Sequence, residues 1–438
     1  QGGGANYNTN GSLSITYTAS STEYGDIVIN GDLKAGAGVA SNSNRGSTVS
    51  TEGDLTIAGD ASIKDGITAD SITNNGIMRW TVNAGNLTTS HQISGSGKLF
   101  KYGSSNLTLS NSQSYTGDTE IYSGTLINNS TLSDSTDLIL TGGNYTTNAT
   151  DTVASISTSN ASSTLTIASS QILTTSTSSD TTFAGIIAGS GGFKKAGSGT
   201  LTLSGTNTYT GGTDITAGGI LITNDRNLGA VPGSADADNV IIRNGATLAT
   251  GNTNVTMAAN RGFNVPSGTA KLLKYTRKSW TLNNPISGSG GVNFDDSTAS
   301  GGNGGGGGRY YLKVANTYTG DTLISFRGTR DPGVVVDHNN AFQNTTVDYN
   351  NTNIPNANET SEPLLWFRTT APVLGGLKGD RDLINEQSFT SNAVLNIGNN
   401  NEDTTFSGRI RDGQRTYGIK KIGTGSLTLT GSNSYSGG

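Results

Sequence analysis

The sequence predicts an all-β chain wound into a parallel β-solenoid, and three observations carry that prediction. Apolar residues alternate over short runs, as at Leu201 and Leu203 and again at Ile220 and Ile222, and Gly, Asn, Asp or Ser closes each run. One phrase, "SGTLTLSGTNTYTGGTDITAGGILI" at 198–222, returns along the chain in several worn copies. The apolar supply is also thin: 32% of the 438 residues are hydrophobic and only 13% are charged, with Ser, Thr and Asn filling the difference. Alternation over a few residues is the half-buried strand signal. A small apolar fraction spread evenly suits a long, narrow core better than a central globule.

The repeated phrase sets the order of elements. An aromatic or Ile comes first, then a Gly-rich turn, a Lys-bearing strand, a Gly turn, a Leu-x-Leu strand, a polar turn, Tyr-Thr-Gly and an Ile strand. Aligned on the tyrosine, the copies fall at Tyr115, Tyr209, Tyr318 and Tyr435, with a looser one at Tyr24, so the phrase returns every four or five coils. The positions singled out as structural are Tyr115, Gly117, Leu201, Leu203, Tyr209, Gly211, Ile215, Tyr318, Gly320, Leu427, Leu429, Tyr435 and Gly437. Gly, Asn, Asp and Ser supply the positive φ and side-chain turns that let a chain bend sharply. Asn-Gly hairpin signals are few and the turns too frequent for long hairpins. A coil of roughly 20–25 residues rising about 4.8 Å gives some 18–20 coils and a rod on the order of 90 Å. We expect one continuous solenoid over 1–438. A Gly-rich loop at 299–309 replaces the Lys strand of the third copy. The span 325–390, with Pro332, Pro355, Pro363, Pro372 and Trp366, reads as a larger excursion or as decorated coils. Function gathers on loops held by rigid scaffolds. The chain stops inside its own phrase at "GSNSYSGG" and shows no signal peptide, so it reads as a piece of something longer.

Composition excludes several functions. Net charge is −5 with no basic cluster, which argues against nucleic-acid binding. There is no cysteine, hence no disulfide and no thiolate metal site. No apolar run approaches the roughly 20 residues of a membrane helix. The two histidines, His91 and His338, lack the context of a catalytic triad and the clustering of a metal site, so neither metal nor cofactor is expected. Asp295 with Asp296, Arg327 with Arg330 and Asp331, and Lys378 with Asp380, Arg381 and Asp382 have the residue types of a glycan-cleaving site but read as surface ion pairs. The repeated tyrosine reads as a turn cap or a packing residue rather than a stacking platform. Lys194–Lys195 and Lys420–Lys421 read as outward, solubilising residues, with anionic glycans as their alternative role.

The phrase from Phe183 to Leu221 resembles the autotransporter-associated β-strand repeat found in passenger domains of Gram-negative type V secretion proteins. The likeness is good at 94–127 and 406–438 and partial at 284–330 and 11–33. It implies a right-handed parallel β-helix, exported across both membranes and displayed at the cell surface, and it implies no reaction. The expected function is a non-catalytic stalk or adhesin for adhesion or cell–cell aggregation. Its partners would be a glycan or protein on a host or neighbouring cell, or further copies of itself, with no membrane insertion of this segment. One alternative is a filament or matrix subunit joined end to end, because open strand ends invite pairing. The other is a polysaccharide lyase or hydrolase.

Overall fold

The computed structural model describes residues 72–437 except 84, 276, 297–307, 327–332, 351–363 and 386–389, together with the backbone of six short strands between Ile27 and Thr68. The loosest repeat, at Tyr24, and most of the Gly-rich loop 299–309 lie outside the described residues. Strands run from two to seven residues, and they pair in parallel throughout. Helix is confined, among the described residues, to one 3-10 turn at Asp225–Leu228. The fold is the expected β-solenoid.

The chain forms two compact units, one of residues 1–177, 181–193 and 205–211, the other of 178–180, 194–204 and 212–438. In the first, each turn of the chain adds one strand to each growing sheet. Residues in register stack on one another: Leu107, Leu126, Tyr145, Leu165 and Ile187 form one column, each fully buried. The interval from one member to the next, as from Leu107 to Leu126, is the length of one coil, and it stays nearly constant along this column. A second column runs Met78, Leu99, Thr119, Leu138 and Ile156. The alternation seen in the sequence is the cause: every second side chain of a strand points inward. Each buried Leu or Ile contributes about 1.5–3 kcal/mol.

The second unit follows the same rule with longer coils. Leu201, Ile220, Leu248, Leu272, Phe294 and Ile324 stack in register, but the intervals from Ile220 to Leu248 and from Phe294 to Ile324 are stretched. On another face Val255, Trp280, Tyr310, Val334 and Leu365 stack likewise. The interval between Ile220 and Leu248 carries the 3-10 turn, pinned by the buried Arg261, whose guanidinium donates to Asp225 Oδ1 at 2.9 Å, Leu228 O at 2.8 Å and Asn239 Oδ1 at 2.6 Å. Within 325–390 the described residues include the strands Gly333–Val336, Phe342–Asp348, Leu365–Phe367, Val373–Lys378 and Leu383–Asn385, each with a parallel partner in the stack.

Candidate functional site

The repeated residues build contacts between coils. Gly117, Gly211, Gly320 and Gly437 sit where successive coils approach closely. A Cβ at Gly320 would lie 2.3 Å from Gly291 N, at Gly211 2.4 Å from Gly191 C, at Gly117 2.4 Å from Gly97 O and at Gly437 2.7 Å from Tyr417 O. The glycine of Tyr-Thr-Gly is thus required by proximity of backbone to backbone. The tyrosines point inward. Tyr115 and Tyr318 are buried, and each hydroxyl is 2.5 Å from the hydroxyl of the threonine four residues on, Thr119 and Thr322. Tyr209 is equally buried and packs on Phe193, ring centres 6.3 Å apart. Leu201, Leu203 and Ile215 are fully buried. Leu427, Leu429 and Tyr435, on the last coil of this chain, are half-buried.

Two further repeated side chains escaped the sequence reading. Two residues before each tyrosine stands an amide: Gln113, Asn207, Asn316 and Asn433. Its oxygen accepts the backbone N–H of the leader isoleucine one coil earlier, Ile93, Ile187, Ile286 and Ile410, at 2.8 Å in all four copies. The signal was present in "SQSY", "TNTY", "ANTY" and "SNSY". The second is the lysine of the leader strand, for which the outward, solubilising reading of Lys194–Lys195 is wrong at Lys195, while Lys101 was given no reading at all. Lys101 and Lys195 are buried. Lys101 lies in the inward column between Trp80 and Ile121. Its ammonium donates to Tyr102 O at 2.7 Å, Gly103 O at 2.9 Å and Ser123 O at 3.1 Å. Lys195 donates to Ala196 O and Gly197 O, and the exposed Lys421 repeats the contact with Ile422 O and Gly423 O. Gly103, Gly197 and Gly423 have φ of 83°, 68° and 68°, and this left-handed turn presents the carbonyls to the lysine. Burial pushes the Lys101 ammonium down to about 8 and lowers that of Lys195.

The charged clusters are ion pairs, several of them between adjacent coils, but the surface reading fails for Asp295, Asp296 and Arg381, which are buried. Asp295 meets Lys271 at 2.9 Å, and the fully buried Asp296 lies 3.9 Å from the equally buried Lys274. Asp382 takes Arg409 at 2.5 Å, Lys378 takes Asp321 at 2.5 Å, and Arg381 is buried against the Tyr349 ring. Arg327, Arg330 and Asp331 lie outside the described residues. His91 Nδ1 is 2.9 Å from Thr89 Oγ1. No group of three potential metal ligands converges among the described residues.

A concave polar surface occurs at one corner of the second unit. The strand Gly333–Val336 pairs with Leu365–Phe367, so the turns that follow them, 337–341 and 368–372, lie one above the other. Between them is an open cleft of about 500 Å³, lined by residues 337–340 and 368–370. Asp337 forms its base: Oδ1 takes Arg368 Nε at 3.1 Å and Oδ2 takes Lys313 Nζ at 2.5 Å. His338 Nδ1 accepts the Asn340 N–H at 3.1 Å, so its Nδ1 lone pair is engaged with backbone and not with a carboxylate. Asn339, Arg368 and Thr370 are exposed. The cleft falls inside the span that the sequence set apart, but only stacking brings 337–340 to 368–370.

The passenger-associated-transport-repeat family model matches residues 99–127, 193–222 and 419–438. These are the copies at Tyr115, Tyr209 and Tyr435; the Tyr318 copy is not matched, and its leader strand, expected to be replaced by the Gly-rich loop, is kept as Gly291–Asp296 with Phe294 in place of the lysine. The adhesin BmaC autotransporter of Brucella suis biovar 1 (strain 1330) is 27% identical over 254 residues, a match that covers 56% of this chain and 7% of that protein. No solved structure matches. The chain therefore carries autotransporter passenger repeats, and its place is the cell surface or the extracellular side, after export.

Proposed function

We propose that this passenger segment is a non-catalytic part of a surface adhesin, a solenoid stalk that presents the cleft at 337–340 and 368–370 to a host or neighbouring cell. The observation that carries the reading is where the repeated chemistry goes. The amides, tyrosines and leader lysines are turned toward neighbouring coils, and their work is to hold the stack. Of the carboxylates that the sequence set beside glycan-cleaving chemistry, Asp295 is held by Lys271 and Asp382 by Arg409, and in the cleft Asp337 is held by Lys313 and Arg368. A glycan-cleaving pair needs one carboxyl available as acid and another as base or nucleophile. The cleft, by contrast, offers exposed donors on a rigid frame, the arrangement of a recognition site. That a relative is named an adhesin supports the same reading.

The test is gain of function. The chain, displayed on a non-adherent bacterium through an unrelated anchor, is expected to raise attachment to host-cell monolayers, or sedimentation by aggregation, several-fold over the empty anchor. Attachment and sedimentation equal to those of the anchor alone would overturn the proposal.

A further inference from the structure

We infer that the cleft between the 337–341 and 368–372 turns binds an acidic saccharide, with Arg368 as the carboxylate-recognising group. This deepens the adhesin reading and rests on it. The first argument is charge. The one carboxylate among the residues lining the cleft, Asp337, is approached by two cations, Lys313 at 2.5 Å and Arg368 at 3.1 Å, leaving the corner with one net positive charge. The closest approach of Asp337 to Arg368 is at Nε, 3.1 Å from Oδ1, and that side chain is 40% exposed. A guanidinium pinned at Nε keeps its two Nη groups in the fork geometry that matches a carboxylate.

The second argument is the surrounding donor set. Asn339 and Thr370 are exposed beside Arg368, and with His338 bound through Nδ1, its Nε2 carries the ring proton. An amide, a hydroxyl and an imidazole N–H, placed around a cation in a cleft of about 500 Å³, match the hydroxyls and single carboxylate of one or two uronic or sialic sugar rings. The lining holds no aromatic ring other than the imidazole, which counts against a flat neutral sugar held by ring stacking and against an apolar peptide. The floor is fixed by the ladder: Arg368 N donates to Val336 O at 2.9 Å and Val373 N to Asn339 O at 2.8 Å. The donors are thus presented without a loop having to order.

The experiment titrates the purified chain with galacturonate and glucuronate oligosaccharides and sialyllactose, each beside its carboxyl methyl ester. Binding of at least one free acid is expected, with its ester at least tenfold weaker. Arg368→Gln should weaken the free acid at least tenfold. Thr370→Gln, which fills the cleft and leaves the Lys313–Asp337–Arg368 network alone, should do the same and decides the matter if the arginine variant melts early. No binding across the panel at millimolar concentration, equal binding of acid and ester, or full binding by both variants would overturn the inference. If displayed cells still adhere in that case, the adhesin reading stands and only the ligand class falls. If the sugar binds but displayed cells do not adhere, the reverse holds.

Discussion

At the scale of single residues, the repeat is a set of inter-coil fasteners, and each has its own cost of removal. Gly320→Ala places a methyl 2.3 Å from Gly291 N, where backbone cannot yield, and should destabilise by about 1–3 kcal/mol. Gly233 has open space around its Cβ position, so Gly233→Ala is the matched control and should be near neutral in the same urea titration. Equal melting of the two would remove proximity as the reason for the glycine. Asn316→Ala leaves the Ile286 N–H and the Ala341 carbonyl without their side-chain partner, at about 1–3 kcal/mol. Asp151 gives a pH-dependent case. It accepts from Leu132 N, Asn128 and Thr152 N, yet burial still pushes its carboxyl up to about 6. A folded value above the unfolded one means that the folded state holds the proton more tightly. The contribution is therefore full below about pH 4 and lost as pH rises through about 6, a change on the order of 3 kcal/mol. The difference in stability between wild type and Asp151→Asn, followed by denaturant titration from pH 4 to 7, should show that loss; a flat difference would contradict it.

At the scale of the element, a strand is defined by which residues face the column. Leu203→Asp or Ile215→Asp buries an unpaired charge between stacked apolar neighbours, and either should cost several kcal/mol. Leu429→Asp, on a half-buried position of the same motif, should cost clearly less. Near-wild-type melting of Leu203→Asp would contradict the inward assignment. This level was the most legible in the sequence, because a period of two fixes the inward set without knowledge of the neighbours. What was hidden depended on stacking. Lys101 and Lys195 carry charge, and nothing along the strand says that a left-handed Gly turn will deliver carbonyls to them. The tyrosines were read as turn caps or packing residues, and Tyr115, Tyr209 and Tyr318 are buried; their threonine partners were not seen. The amide two residues upstream of the tyrosine was visible as a pattern, yet its partner lies a whole coil away and no local rule connects them.

At the scale of the whole molecule, the architecture dictates how stability is distributed. Each coil is bonded to the one before and the one after, whether the coil is short, as from Asp137 to Ser155, or long, as from Phe294 to Ile324. Stability in such an array is a sum of coil terms and nearest-neighbour terms, so damage spreads by adjacency. The cleft is subject to the same rule: its two turns belong to consecutive coils, and their spacing depends on the Gly333–Val336 and Leu365–Phe367 pairing rather than on distant coils. Leu138→Asp, in the first unit, is therefore expected to remove hydrogen-exchange protection from Thr119–Ile121, Asp137–Leu140 and Ser155–Ser157. Protection at Gly333–Val336 and Leu365–Phe367 in the second unit should stay at its wild-type level, and a ligand held by the cleft should still bind. Loss of protection in all five strands together would mean that the chain opens as one cooperative block, and the nearest-neighbour account would fail.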